Sequence, residues 1–358
     1  MGFGVYLHVP FCGSRCDYCA FATWTDRGHL VERYLAACRR QVIKAVEVGG
    51  GLPALTSVFV GGGTPSLVPP ELLLGVLAPL PLAADAEVTV ECNPDDVTPG
   101  LLGAFRDGGV TRVSLGVQSM VPAVLAALGR RHDPASVVRA AQAATDVGLA
   151  FNVDLIYGAA GESSSDWEQT LELALGLGPA HVSAYALTVE EGTVLASDPS
   201  RHPDDDDQAD KYVLADARLT AAGFESYEIS NWARPGQRCR HNLLYWSSGE
   251  YLGIGCAAHS HREGRRWWNL RTPERYIAAV EAGRSVEAAG ERLPGPARRL
   301  EGLQLALRTA DGVPADAFAP ADLEALDGLV AVDGERARLT VRGRLLANEV
   351  AVRLLQPS

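Results

Sequence analysis

Short β-branched, apolar runs alternate with helix-periodic stretches through the first two-thirds of the chain. That alternation limits the fold more than any other feature. "GVYLHVP" comes first, followed by "LTSVFVGGGTPS", "AEVTVECNP", "TRVSLGVQS", "LAFNVDLIYG" and "HVSAYALTVE". Each reads as a buried parallel strand. Segments such as "PASVVRAAQAATDVG" and "SSSDWEQTLELALGLG" lie between them with helical periodicity, and Ser163 or Ser164 is placed to cap the latter. Such alternation demands parallel strands joined by right-handed crossovers. Six units of this kind predict an α/β fold, a partial (β/α) TIM-like barrel. The unusual polar residues fall where the runs end: "GGGT" after the second, Glu91 after the third, Gln118 after the fourth, Asp154 near the end of the fifth. In barrels and open α/β sheets, that edge carries the chemistry.

Composition excludes several classes. The 358 residues are 47% hydrophobic and 21% charged, as in a soluble globular protein with material for a large core. A net charge of -12 repels nucleic acid, so no nucleic-acid partner is expected. No stretch reads as a secretory signal, and no apolar run reaches the roughly 20 residues of a membrane span. A cytoplasmic protein with reduced thiols is expected. In that compartment, clustered cysteines bind metal or do redox chemistry.

Past the sixth run, "SDPSRHPDDDDQ" (197–208) reads as an exposed acidic loop leading into a helix, and "ESYEISNWA" as a strand. Residues 285–298 look like a linker. The tail predicts a helix, a short helix, a hairpin turning at "DG" (333–334) and a last helix. Together these make a small winged-helix-like α+β domain, for which the surrounding acidity favours a packing or partner role. The expected division is 1–235 for the core barrel, 236–290 for a barrel extension and 291–358 for the C-terminal domain.

Three of the seven cysteines, Cys12, Cys16 and Cys19, lie directly after the first run with the spacing C-x3-C-x2-C. Three thiolates on one loop can hold three irons of a 4Fe-4S cluster and leave the fourth iron open. A structural zinc site normally wants four closed ligands, and nothing nearby completes one. The motif resembles that of the radical S-adenosylmethionine (SAM) superfamily. Over roughly residues 3–355, "GVYLHVPFC", "VFVGGGTPS", "ECNPDD", "RVSLGVQS", "LGRRH", "NVDLIYG", "YEISNWARPG", "HNLLYW" and "GEYLGIGCAAHS" are similar to the oxygen-independent coproporphyrinogen III oxidase-like family. The resemblance implies that the methionyl amine and carboxylate of SAM chelate the open iron, and that the reduced cluster cleaves the sulfonium to a 5′-deoxyadenosyl radical. Chemically, the bare backbone of Gly62, Gly63 and Thr64 can approach a ligand closely. A plain strand-to-helix turn with Pro65 as helix starter is the alternative. Glu91 and Asp154 could accept from the amine and ribose hydroxyls, Gln118 could contact ribose or carboxylate, and Arg130 could grip the carboxylate with a bidentate fork. The resemblance adds Tyr6, Tyr18, Ala186 and His259 to the SAM-binding set.

Oxidases of the family read C-x3-C-x2-C-x-C and carry a long segment before the first strand. Here Phe21 stands at the fourth position and five residues precede Tyr6. Both departures resemble the heme-chaperone (HemW) branch, which also carries H-N-x-x-Y, here His241, Asn242 and Tyr245. A neutral imidazole can ligate heme iron; alternatively His241 and Tyr245 pack in a β-loop. Cys239 could ligate or attach heme, or be a plain free thiol. What this branch implies is binding of heme and transfer to an acceptor protein at the membrane, with dimerisation, so that the protein meets the membrane through its partner. The rival reading is oxidative decarboxylation of coproporphyrinogen III. Cys38, Cys92 and Cys256 read as small core hydrophobes. "RRWWN" (265–269) could cover a porphyrin or form a half-buried strand, and His259 and His261 share one strand face.

Overall fold

The computed structural model describes residues 2–47 and 51–355. The six sequence runs form β1 (Phe3–Val9), β2 (Leu55–Gly62), β3 (Leu82–Cys92), β4 (Arg112–Gln118), β5 (Ala150–Tyr157) and β6 (His181–Ala186). They lie side by side in chain order, all parallel. Beyond β6 the hairpin β7 (Glu225–Ser226) and β8 (Asn231–Ala233) pairs antiparallel. On the other flank β9 (Glu250–Ile254) runs parallel to β1, and β10 (His259–Arg262), β11 (Arg265–Asn269) and β12 (Glu287–Arg292) continue antiparallel. Among the described residues this is one open sheet of 12 strands, a partial barrel.

The crossovers are α1 (Val31–Glu47), α2 (Pro70–Leu77), α3 (Pro99–Asp107), α4 (Pro122–Ala127), α5 (Pro134–Val147) and α6 (Ser164–Gly176). After them come α7 (Asp205–Ala221), α8 (Arg240–Trp246), α9 (Pro273–Glu281) and α10 (Gly295–Ala306). Starts are set locally. Ser163 and Asp166 close a reciprocal capping box on α6, and the Asp133 carboxylate caps α5. One strand face is apolar and buried: Val58 and Val60, Val88 and Val90, Val113 and Leu115, Val153 and Leu155. The alternate positions carry buried polar groups instead, among them Ser57, Glu87, Thr89, Arg112, Ser114, Asn152, His181 and Ser183. Burial on both faces was expected; polarity of the barrel face was not.

At the centre of that face Glu87 and Arg112 pair at 3.5 Å, both nearly inaccessible. Arg112 also donates to the Gln237 carbonyl at 2.9 Å, and Glu87 accepts the Arg240 backbone N–H at 3.0 Å. Removing one partner of such a pair costs about 3–5 kcal/mol, because a buried charge is left behind.

Four readings of the sequence are corrected. Residues 287–292 are an edge strand, not linker: polar cross-strand pairs such as Arg266 with Glu291 at 2.9 Å hold it to β11. "ESYEISNWA" is a hairpin, because the chain reverses between Ser226 and Asn231. "HNLLYW" is helical, since Glu87 satisfies the first N–H groups of α8 from the neighbouring strand. The last helix breaks at Leu346 into α12 (Val341–Leu345) and α13 (Ala347–Ala351).

The C-terminal unit has α11 (Pro320–Ala325) and a three-stranded sheet of β13 (Val313–Pro314), β14 (Val330–Asp333) and β15 (Arg336–Leu339). Gly334, at φ 58°, turns the expected hairpin. This unit has its own apolar core, around Leu307, Val313, Phe318, Val330 and Val350.

Candidate functional site

A cavity of about 630 Å³ opens at the C-terminal edge of the parallel strands. The cysteine loop forms one wall. Backbone hydrogen bonds from Cys12 N to the Trp24 carbonyl (3.1 Å) and from Trp24 N to the Pro10 carbonyl (2.8 Å) pin its two ends together. Cys19 N reaches the Cys16 carbonyl at 3.2 Å and tightens the middle. The three thiols are free, half-exposed and all line the cavity. Burial raises the thiol pKa of Cys12 and of Cys19. The Thr64 hydroxyl donates to Cys12 Sγ at 3.5 Å, and Arg130 Nη1 to Cys16 Sγ at 3.4 Å. Among the described residues no three His, Cys, Asp or Glu converge on one ion. A cluster needs the opposite, because each thiolate serves a different iron.

The glycine turn is locked against this loop. Gly63 N donates to the Val9 carbonyl at 2.7 Å and Thr64 N to the Phe11 carbonyl at 2.8 Å. Gly62 sits at φ 109°, and a Cβ there would lie 2.3 Å from the His8 ring. Only glycine meets both demands. Its N–H donates to Glu91 Oε2 at 3.0 Å. Burial, then the nearby Asp154 charge, pushes the Glu91 carboxyl up to about 7. Burial also raises Asp154, against hydroxyl hydrogen bonds from Ser183 and from Ser114 at 2.8 Å.

Gln118 ends β4 at φ 62°, an uncommon place for a non-glycine residue, beside a register shift. Arg130 is already engaged: Nη2 donates to Asn93 Oδ1 at 2.6 Å and the Gly116 carbonyl at 3.0 Å, and Nε to His132 Nδ1 at 3.2 Å. The bidentate fork expected of it needs two adjacent free donors; here Nη1 alone faces the thiols and the cavity. Tyr18 and Ala186 also line the wall.

Other named residues stand elsewhere. Tyr6 lies behind the wall, stacked on Phe59 at 6.4 Å, its hydroxyl 3.1 Å from His8 Nδ1. His259 is not in the lining and stacks on Trp268 at 5.5 Å on the antiparallel flank. Of the H-N-x-x-Y motif, only Asn242 lines the cavity. His241 is 1% exposed, with Nδ1 3.0 Å from Ser57 Oγ and Nε2 2.9 Å from the Tyr245 hydroxyl. Burial lowers its pKa to about 3, so the ring is neutral. Cys239, by contrast, also lines the cavity, nearly inaccessible, with its thiol 3.5 Å from Glu87 Oε1. Cys38, Cys92 and Cys256 are buried in the main core, and Cys92 also reaches the cavity lining.

The sequence reading missed Asn93, Asn152, His181, Ser183 and Tyr185, which also line the cavity. The signal was available in part: Asn152 precedes Asp154 by two, the strand period that puts both on one face.

Residues 6–174 match the Radical SAM superfamily. The heme chaperone HemW of Mycobacterium tuberculosis is 45% identical over 99% of this chain and 95% of its own length. HemW of Escherichia coli is 36% identical over 97% and 96%. The chain belongs to the HemW family, within the radical SAM superfamily. The solved structure of Escherichia coli coproporphyrinogen III oxidase HemN, a radical SAM enzyme, matches with a TM-score of 0.84 at 22% identity, over 98% of this chain and 89% of that one. It shares the fold. Membership in the HemW family and its superfamily implies a 4Fe-4S cluster and SAM. The cavity suits that pair chemically: three free thiols on one loop, glycine backbone beside them, and two half-buried carboxyls in the same lining. Among the described residues no helix is long and apolar enough to cross a membrane.

Proposed function

We propose that this chain binds heme and passes it to an acceptor protein, with a 4Fe-4S cluster and SAM as resident groups. End-to-end identity with curated heme chaperones, 45% over 99% of the chain in one case, carries the reading. Phe21 supports it: this phenyl ring is 68% exposed and lines the cavity at the position where the oxidase pattern has its fourth cysteine.

In this reading Cys12, Cys16 and Cys19 hold the cluster. Hydrogen bonds from Thr64 and Arg130 to two of the sulfurs drain negative charge from them and favour the reduced state. When bound and reduced, the cluster supplies the electron that SAM cleavage requires. The N–H groups of Gly62, Gly63 and Thr64 are bonded to Glu91, Val9 and Phe11, so this turn would offer carbonyl groups to the methionyl end. Glu91 and Asp154 would receive its ammonium and the ribose hydroxyls, and a cation held there would lower the raised Glu91 pKa. Gln118, Tyr18, Ala186 and Nη1 of Arg130 complete the seat, and Tyr6 braces it from behind through Phe59.

For heme, His241, Asn242 and Tyr245 are the proposed set. Asn242 already faces the cavity. His241 is neutral and so competent to ligate iron, but must first leave Ser57 or Tyr245. Giving up such a buried hydrogen bond costs about 1–3 kcal/mol, so heme capture is coupled to a shift of α8. Dimerisation and an acceptor at the membrane belong to the same proposal.

Anaerobic turnover tests the reading. Reconstituted protein receives SAM, a reductant and coproporphyrinogen III, and heme is titrated separately. Heme binding without protoporphyrinogen formation is expected, with the Soret band altered in His241→Ala. Protoporphyrinogen formation would make the chain a decarboxylase instead.

A further inference from the structure

A second cavity, of about 410 Å³, lies near the start of β1 and the approach to β2, at the opposite edge of the sheet from the cysteine loop. Phe3, Leu252, Trp267 and Val280 give it apolar walls. Four cations surround them: Arg40 and Lys44 from one face of α1, Arg262 from β10, and Arg284 just past α9. No carboxylate lines it among the described residues, in a chain with 44 acidic and 32 basic residues. Three of the four cations are not spent on ion pairs. Lys44, Arg262 and Arg284 have no carboxylate partner among the described residues, and Arg262 lies over the Phe3 ring at 5.8 Å. Arg40 sits 3.9 Å from Glu281, which Arg33 already grips at 2.9 Å.

Unpaired cations on exposed side chains are ordinary. Three of them, with a fourth only loosely paired, around one apolar recess whose lining holds no acid are a built complement to an apolar body that carries carboxylates. Among the described residues no His, Cys, Met or Tyr lines the recess, so an iron centre finds no ligand there.

We propose that this cavity seats an apolar dicarboxylate of the porphyrin class, gripped by its carboxylates and indifferent to iron. The choice of porphyrin rests on the heme reading above; the recess and its charge do not. A carrier built this way has two seats for one cargo: one that reads the metal and one that reads the propionate edge. The second can catch or release the ring while His241 is still engaged elsewhere.

The test uses the full chain with its cluster reconstituted. Metal-free protoporphyrin IX is titrated by fluorescence against wild type and the double variant Lys44→Glu/Arg284→Glu. Both positions are exposed, so the fold and the iron-sulfur absorbance should persist. Saturable binding is expected, weakened about tenfold or more by the charge reversals and by added salt. The dimethyl ester of protoporphyrin, which lacks both carboxylates, should bind equally poorly to both proteins. Unchanged affinity in the double variant overturns the proposal, as does an ester that binds as tightly as the acid. So does a variant that loses only its affinity for phosphatidylglycerol vesicles, which would make the recess a lipid contact. Unchanged affinity for metal-free porphyrin in the double variant, alongside heme binding with an iron-dependent Soret band, would leave the chaperone reading standing and remove only this seat. A wild type that binds metal-free porphyrin here but shows no such band would do the reverse.

Discussion

Glu91 and Gln118 show what a ligand site demands of single residues. The Glu91 carboxyl is raised to about 7 by burial and then by Asp154. Between its unfolded value near 4.5 and about 7, the folded protein therefore binds more protons than the unfolded chain. Ligand-free stability must fall as pH rises through that window. Glu91→Gln keeps an oxygen for the Gly62 N–H and removes the titration. Thermal midpoints should coincide near pH 5 and favour the variant at pH 8; a wild type equally stable at pH 8 would mean the carboxylate is already compensated. His241 works with the opposite sign. Its pKa falls to about 3, so its contribution is complete above pH 6.5 and is lost as pH drops below that. Gln118 holds φ at 62°, a strain of about 1 kcal/mol or more for a non-glycine residue. Gln118→Gly should leave stability equal or slightly higher while SAM affinity, read by equilibrium dialysis, declines. A clear loss of stability would show that the side chain is a packing residue.

Elements were legible in the sequence wherever apolar burial dictated them. β1 to β6 read directly, because β-branched runs capped by polar ends have few other folds. The residues at those ends, Glu91, Gln118 and Asp154, were visible for the same reason. What escaped was set by partners distant in sequence. β12, "EAAGER", has no apolar alternation and exists because β11 offers it an edge and opposite charges. α8 exists because Glu87, more than 150 residues earlier, accepts its first N–H groups. The same distance hid the state of His241, whose motif said ligand while its neighbours Ser57 and Tyr245 occupy both ring nitrogens. Glu87→Ala should therefore act on α8 as an element. It unpairs buried Arg112 and frees the helix start, a loss of about 3–5 kcal/mol. Amide exchange across 240–246 should accelerate and the heme optical spectrum should change along with it. Fast exchange with an unaltered heme spectrum would separate α8 from heme capture.

Across the whole molecule the two apolar cores meet at a polar seam. Arg344 of α12 reaches across it to Asp216 of α7 at 2.8 Å and to Ser226 of β7 at 2.9 Å. Asp216 Oδ1 also accepts Trp232 Nε1 at 2.9 Å, so the guanidinium is tied to a fully buried indole of the barrel. Further links are backbone contacts, Ala310 N to the Tyr227 carbonyl at 2.9 Å and a bridge between Glu228 and Thr309, the Arg266–Glu301 ion pair at 2.6 Å from β11 to α10, and Val341 packed against the main core. Arg344→Ala leaves Asp216 with one donor fewer, a loss of about 1–3 kcal/mol. The loss should be local, because each side keeps its own core. Hydrogen exchange should rise in β14, β15 and α13 while β1 to β6 stay protected and the iron-sulfur absorbance is retained. Protection that falls equally in both parts would show one cooperative unit. It would also make the C-terminal unit part of the barrel's stability, not a separately anchored face free to meet a partner.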